Sequence, residues 1–200
     1  DADFGKLVET GIFAQWFHNY SMSPDDFRMV FRTFVEAFPY VSLWGMKESD
    51  FLLVGSKKEQ VFDYPAVKKI YDNNKVLQSD LEYLGLSDVY AVQGFYRMNR
   101  DGFLAFSKGA SINTDDGAQL EFSAPKNLRR ATTELNRKLM TPYLADEPPW
   151  LKGKPLAVPA AMHHYYMAQS YLGSLARGRA TKEIDEAIRL DPKNPKFHLL

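Results

Sequence analysis

Two adjacent carboxylates, Asp115 and Asp116, lie in the polar run INTDDGA at 112–118 and are the strongest chemical signal in the chain. Neighbouring carboxylates on a loop attract polycationic amines, which are held mainly by charge and by apolar walls. Residues 113–117 (NTDDG) also read as a plain turn whose side chains bond their own backbone. Both readings stand at the level of residue type. Glu121, in the same segment, adds a weaker third carboxylate. Gln15 is the next candidate, in the run GIFAQWFH at 11–18, with Trp16 and His18 as candidate walls of the same pocket. It is expected at the carboxyl end of a strand, where open α/β sheets bind ligands. The plainer alternatives are a buried amide bonded to nearby backbone, a core aromatic and a satisfied histidine.

Other chemistries find no support in the sequence. There is no G-x-G-x-x-G nucleotide loop, no G-x-S-x-G elbow and no Ser-His-Asp arrangement. His163 and His164 are adjacent, so on a helix they diverge by about 100° and cannot share a metal as an i, i+4 pair would. Asp25 and Asp26 follow Ser23-Pro24 and belong to a helix start. The basic residues Arg129, Arg130, Arg137 and Lys138 read as a solvated helix face, with contact to phosphate or anionic lipid the weaker alternative. No residue is assigned to catalysis or to a metal.

The elements that must position these residues follow from pattern. Residues 11–18 form a short apolar run bounded by Gly11 and Asn19, as expected of a strand buried on both faces in a parallel sheet. Ser23 caps a helix with Pro24 at its first position and two aspartates at the positive end of its dipole. Phe27, Val30, Phe31, Phe34, Val35 and Phe38 then make one apolar stripe, and Pro39 ends the helix. YVSLW (40–44) and FLLV (51–54), separated by polar GMKESD, read as an antiparallel hairpin closing a sheet edge. Phe4, Leu7 and Val8 have helical spacing ahead of Gly11, and the polar opening DADFGK carries no secretory signal.

From 62 to 109 the pattern turns helical, with breaks at Gly85 and Asp101-Gly102 and a short helix expected over 89–99. An extended piece is expected at 120–123 and a helix with a basic face at 129–140. Prolines at 142, 148, 149, 155 and 159 make 141–159 a linker. Ala168, Tyr171, Ala180, Ile184, Ala187 and Pro192 fit one tetratricopeptide-type helical hairpin. A lone repeat needs something to cover its apolar face.

Bulk composition sets the limits. Two hundred residues with 45% hydrophobic and 14% aromatic content suffice for a packed core. Lys+Arg and Asp+Glu both number 25, so no global field favours nucleic acid or membrane. With no cysteine there are no disulfides, and no apolar run reaches the roughly 18 residues of a membrane span. The chain is expected to be cytoplasmic, or the soluble part of a membrane-fused parent.

Taken together, GIFAQWFHNYSMSPDDFRMVFRTFVEAFPYVSLW, DFLLVGSK and INTDDGAQLEFSAPKNL resemble the spermidine synthase-like (polyamine aminopropyltransferase-like) proteins. The likeness covers roughly residues 1–128 and is strongest to a bacterial branch often fused to membrane segments and sometimes to tetratricopeptide repeats. It implies the C-terminal part of a Rossmann-like, methyltransferase-type sheet with a closing hairpin, then an α-helical region and a TPR-like helical hairpin. The expected divisions are 1–58 for the partial transferase domain, 59–140 for a mostly helical extension with the NTDD loop, 141–159 for the linker and 160–200 for the hairpin.

The resemblance also implies aminopropyl transfer to an amine from decarboxylated S-adenosylmethionine, or a related transfer from S-adenosylmethionine. In that family the general base and the donor-binding residues precede the strand at Gly11. The chain alone is therefore expected to hold no cofactor and to be inactive. Gln15 would face the acceptor pocket, and the NTDD motif strengthens Asp115 and Asp116 as amine-binding residues. A non-catalytic interaction module using the TPR-like tail is the alternative, and a methyltransferase on the same sheet is a weaker third. A homo-oligomer is expected, because a truncated parallel sheet would leave an unpaired edge.

Overall fold

The computed structural model describes residues 5–45, 49–145, 147–174 and 176–200. Phe4 and most of the turn between the two hairpin strands lie outside the described residues. The chain is mixed α/β and divides into two compact units that interleave along the sequence. One gathers the described residues of 5–45, 49–60 and 97–145, the other those of 61–96 and 147–200.

The first unit is built on an open sheet of four strands: β1 (Ile12–His18), β2 (Tyr40–Gly45), β3 (Asp50–Ser56) and β4 (Tyr96–Asn99), in the order β1-β3-β2-β4. β3 is antiparallel to both β1 and β2, so β1 and β2 run the same way on either side of it. The connection between them is helix α1 (Pro24–Ala37). This corrects the expected setting of the first strand. β1 sits at the end of the sheet beside an antiparallel neighbour, and Ile12 and Trp16 are 65% and 54% exposed. A continuous apolar run cannot by itself distinguish a central strand from a terminal one.

α1 forms as its sequence dictates. Ser23 Oγ accepts from Asp26 N–H at 3.1 Å, and Pro24 stands in the first turn with Asp25 and Asp26. At the other end the guanidinium of Arg100 donates to the carbonyls of Val35 (3.1 Å) and Phe38 (2.6 Å). A cation there offsets the negative end of the dipole. The apolar stripe buries Phe27, Phe31, Phe34, Val35 and Phe38 against one face of the sheet. Phe17 of β1 stacks on Phe27 with ring centres 5.5 Å apart and meets Phe31 edge-on at 5.9 Å. Each fully buried aromatic adds about 2 kcal/mol by area alone. Gly55 of β3 permits the contact, since a Cβ there would lie 2.5 Å from the Phe38 ring.

Helix α4 (Arg100–Phe106) completes this core with Phe103 and Phe106. Residues expected as a helix over 89–99 instead form a 3-10 helix (Val89–Phe95) followed by β4. The piece expected to be extended at 120–123 lies within helix α5 (Gln119–Asn127). α6 (Thr133–Met140) begins after Arg129 and Arg130, leaving Arg137 and Lys138 as the basic residues on it.

The second unit is helical. It contains α2 (Tyr64–Asp72), α3 (Lys75–Tyr83), the 3-10 helix 89–95, and a hairpin of α7 (Ala160–Gly173) and α8 (Arg177–Leu190). Small residues bring the hairpin together, with Ala168 and Ala187 fully buried and Ala180 nearly so. Tyr90, Met167 and Tyr171 fill the space beside Ala180, and Phe197 packs with Tyr165 and Ala187. Gly94 lets the 3-10 helix approach α7 closely, as a Cβ there would lie 2.5 Å from Ser170. The face that a lone hairpin leaves open is thus covered within this unit by the segment 89–95. Among the described residues, no helix is long and apolar enough to cross a membrane.

Candidate functional site

Strand alternation places Phe13, Gln15 and Phe17 of β1 on the face that packs against α1, and Ile12, Ala14, Trp16 and His18 on the other. The register agrees: Gln15 pairs with Leu53 and Phe17 with Phe51, both on the α1 side. Gln15 is the fourth residue of a seven-residue strand, so it sits at the strand's middle, not at its carboxyl end. Beside it lies a groove of about 170 Å³ lined by Gln15, Leu53, Val30, Thr33, Phe34, Ala37, Asn113 and Leu120.

The segment 111–120 is tied down where it meets α1. Thr33 Oγ1 accepts from Asn113 N–H at 2.8 Å, and Asn113 Oδ1 accepts from Leu120 N–H at 3.2 Å. Thr114 accepts from Gly117 N–H through its Oγ1 (3.1 Å) and from Ala118 N–H through its carbonyl (2.8 Å). This is the local side-chain-to-backbone bonding expected of the turn reading. Asp115 and Asp116 sit at its exposed tip, with no hydrogen bond or ion pair to other described residues. They do not line the groove, although Asn113, two residues before Asp115, does.

The structure therefore brings Gln15 and Asn113 to one groove and leaves Asp115 and Asp116 outside its lining. Trp16 and His18 point to the other side of the sheet and do not wall it. His18 is satisfied locally: its Nδ1 is 3.0 Å from Tyr20 O, which assigns the proton to that nitrogen, and its ring stacks on Tyr20 at 4.0 Å. Gln15 Nε2 donates to Trp16 O at 2.9 Å, leaving Oε1 as an acceptor for a ligand. Glu121 is exposed on α5.

Sequence reasoning missed a polar clasp on the loop that follows β1. Thr132 Oγ1 accepts from Met22 N–H (3.1 Å), and Asn136 Nδ2 donates to the carbonyls of both Asn19 and Met22, each at 2.9 Å. Asn127 Nδ2 donates to Asp26 Oδ2 at 3.3 Å. Asn19 and Asn136 are fully buried, and Asp26, Asn127 and Thr132 nearly so. The residue between them, Ser21, has φ +49, in a region that L residues rarely adopt. One signal was available: Thr132, Asn136 and Met140 recur every four residues, marking a buried helix face. The more apolar pair on the same helix, Leu135 and Leu139, is 49% and 38% exposed.

None of the groove's lining side chains can take up or release a proton near neutral pH. The strongly perturbed groups lie in the helical unit. Burial, with the charge of Asp88 beside Tyr64 and Tyr166, pushes those two hydroxyls up to about 12; burial alone takes Tyr90 as high. Burial pushes His163 down to about 4. His163 shares a 3.1 Å hydrogen bond with the Tyr90 hydroxyl, while His164 Nδ1–H donates to Glu183 at 2.7 Å. Each histidine is thus engaged separately, and no group of three His, Asp or Glu able to hold a metal occurs among the described residues. Comparison with protein-family models, curated proteins and solved structures found no match to this chain.

Proposed function

We propose that this chain is the amine-acceptor part of a spermidine synthase-like aminopropyltransferase. The observation that carries the reading is the groove that joins Gln15 of β1 to Asn113 at the head of the NTDD turn. Its walls suit a short aliphatic chain, Gln15 Oε1 suits an ammonium hydrogen, and two exposed carboxylates stand close by in sequence for a second cationic end. The topology supports it too. Two parallel strands joined by a helix, with an antiparallel strand between them, suit the C-terminal part of a Rossmann-like sheet. The groove offers no general base, so the chain alone binds an amine without turning it over. In the parent the donor would be decarboxylated S-adenosylmethionine, or S-adenosylmethionine for a related transfer.

Calorimetric titration with putrescine and spermidine tests this reading. Binding by the chain, lost in the Asp115→Ala/Asp116→Ala double variant, is the expected result. An absence of heat from a demonstrably folded chain would overturn it and favour the second reading, an interaction module using a TPR-like hairpin. The exposed Leu190 and Leu199 beside that hairpin favour the second reading.

A further inference from the structure

The polar side chains lining the groove are partly engaged by backbone, and the engaged atoms decide which atoms remain for a ligand. Gln15 Nε2 donates to the Trp16 carbonyl at 2.9 Å, so the side chain presents Oε1, an acceptor. Asn113 is turned the opposite way. Its Oδ1 accepts from Leu120 N–H at 3.2 Å, so it presents Nδ2, a donor with no partner among the described residues. Backbone partners fix both orientations, since a carbonyl only accepts and an N–H only donates. The Thr33 hydroxyl is occupied on both sides, donating to Met29 O and accepting from Asn113 N–H, each at 2.8 Å. Asn113 is thus held through its backbone and its side chain together, which sets the donor in place before a ligand arrives. The other lining residues, Val30, Phe34, Ala37, Leu53 and Leu120, are apolar, and no side chain of the lining is charged. The negative charge of the segment stands apart, on Asp115 and Asp116 at the exposed tip of the turn.

We propose that the amine taken here is a mono-N-acylated diamine, its amide end in the groove and its ammonium at Asp115 and Asp116. This deepens the amine-acceptor reading and rests on it. An ammonium has three donors and no acceptor. In the groove it satisfies Gln15 Oε1, but it turns hydrogens of like sign towards Asn113 Nδ2. It also leaves its charge among apolar walls with no counter-charge, which is costly. A secondary amide carries one N–H and one C=O. The N–H donates to Gln15 Oε1, the C=O accepts from Asn113 Nδ2, and no charge has to be neutralised. A carboxylate would suit Asn113 but would set its own oxygens against Gln15 Oε1. The free amine of the ligand, protonated at neutral pH, lies outside the lining, where the two aspartates supply the opposite charge. A lining with a donor and an acceptor, and with its charge held outside, selects a ligand whose two ends differ in the same way.

Calorimetric titration of the whole chain with N-acetylputrescine and with putrescine tests this preference. N-acetylputrescine is expected to bind roughly tenfold tighter, the scale of one polar group left unpaired. Asn113→Asp keeps an oxygen to accept from Leu120 N–H but replaces the donor Nδ2 by a second carboxylate oxygen. It is expected to reverse the order and favour putrescine. Gln15→Glu, at an exposed strand position, sets a carboxylate on the β1 side of the groove and is expected to move the order the same way, with the Asn113 segment untouched. Putrescine binding as tightly as N-acetylputrescine, or an order that neither variant moves, would overturn the amide end and leave the amine-acceptor reading standing. Binding of neither compound by a folded chain would overturn both.

Discussion

The two units bury different chemistry. In the sheet unit the core is a stack of phenylalanines, Phe17, Phe27, Phe31, Phe103 and Phe106, and the buried polar groups are mostly neutral amides and hydroxyls. In the helical unit the core is tyrosine-rich; it buries Asp88 and partly buries His163, which is hydrogen-bonded to Tyr90. Asp88 accepts from Tyr90 N–H at 2.8 Å and lies 3.5 Å from Lys68 Nζ. A core of neutral groups leaves stability indifferent to pH, whereas a core of titratable groups ties stability to it. The sheet unit holds the groove, and the helical unit holds the most strongly shifted pKa values. Shifted pKa values mark functional sites only when they sit in a cleft with a partner to act on, and here they accompany packing.

The largest effect expected from this contrast is in the sheet unit. Leu53, at the centre of β3, is fully buried, and Leu53→Ala is expected to cost about 3 kcal/mol. Trp16→Ala, on the open face of the adjacent strand, should cost well under half of that. Urea denaturation of both variants checks the difference, and equal losses would mean that the open face is covered.

Asn136→Ala comes next. It removes two hydrogen bonds and strands the buried carbonyl of Asn19 and the partly buried carbonyl of Met22, an expected loss of about 2 kcal/mol by the same measurement.

In the helical unit, His163 sits near 4 when folded and at about 6.5 when unfolded, so the fold keeps it neutral. Stability from this group is complete above pH 6.5 and falls as pH drops from there towards 4, because the unfolded chain takes up the proton first. The loss is about 2 kcal/mol, allowing for partial solvent access. Urea midpoints across that range should show the decline, and His163→Gln should flatten it. The tyrosines raised to about 12 act at the other extreme, where stability is lost as pH climbs above 10. The smallest effect belongs to the α1 cap, where Ser23→Ala should cost about 1 kcal/mol.

Local signals were legible in the sequence. Ser23-Pro24-Asp25-Asp26 announced α1 and its apolar stripe foretold the packed face, because capping and helical periodicity act over a few residues. Pairing was less legible. Nothing within IFAQWFH says whether a strand lies at the centre or the end of a sheet, since that depends on residues far along the chain. The clasp of Asn127, Thr132 and Asn136 on the loop after β1 joins residues about a hundred positions apart, and amides on a short helix look like surface until their partners are known. At the groove, Gln15 was expected at the carboxyl end of its strand and lies at the middle of it. Trp16 and His18 were grouped with it by adjacency, although a strand sends neighbours to opposite faces.

Amine binding depends first on the groove between β1, α1 and the Asn113 segment. Backbone amide shifts recorded by NMR during a spermidine titration test it most directly. Saturable perturbations centred on Gln15, Thr33, Asn113 and Leu120, and absent from the Asp115→Ala/Asp116→Ala variant, are predicted. No perturbation, or one centred on the helical hairpin 160–190, would contradict it.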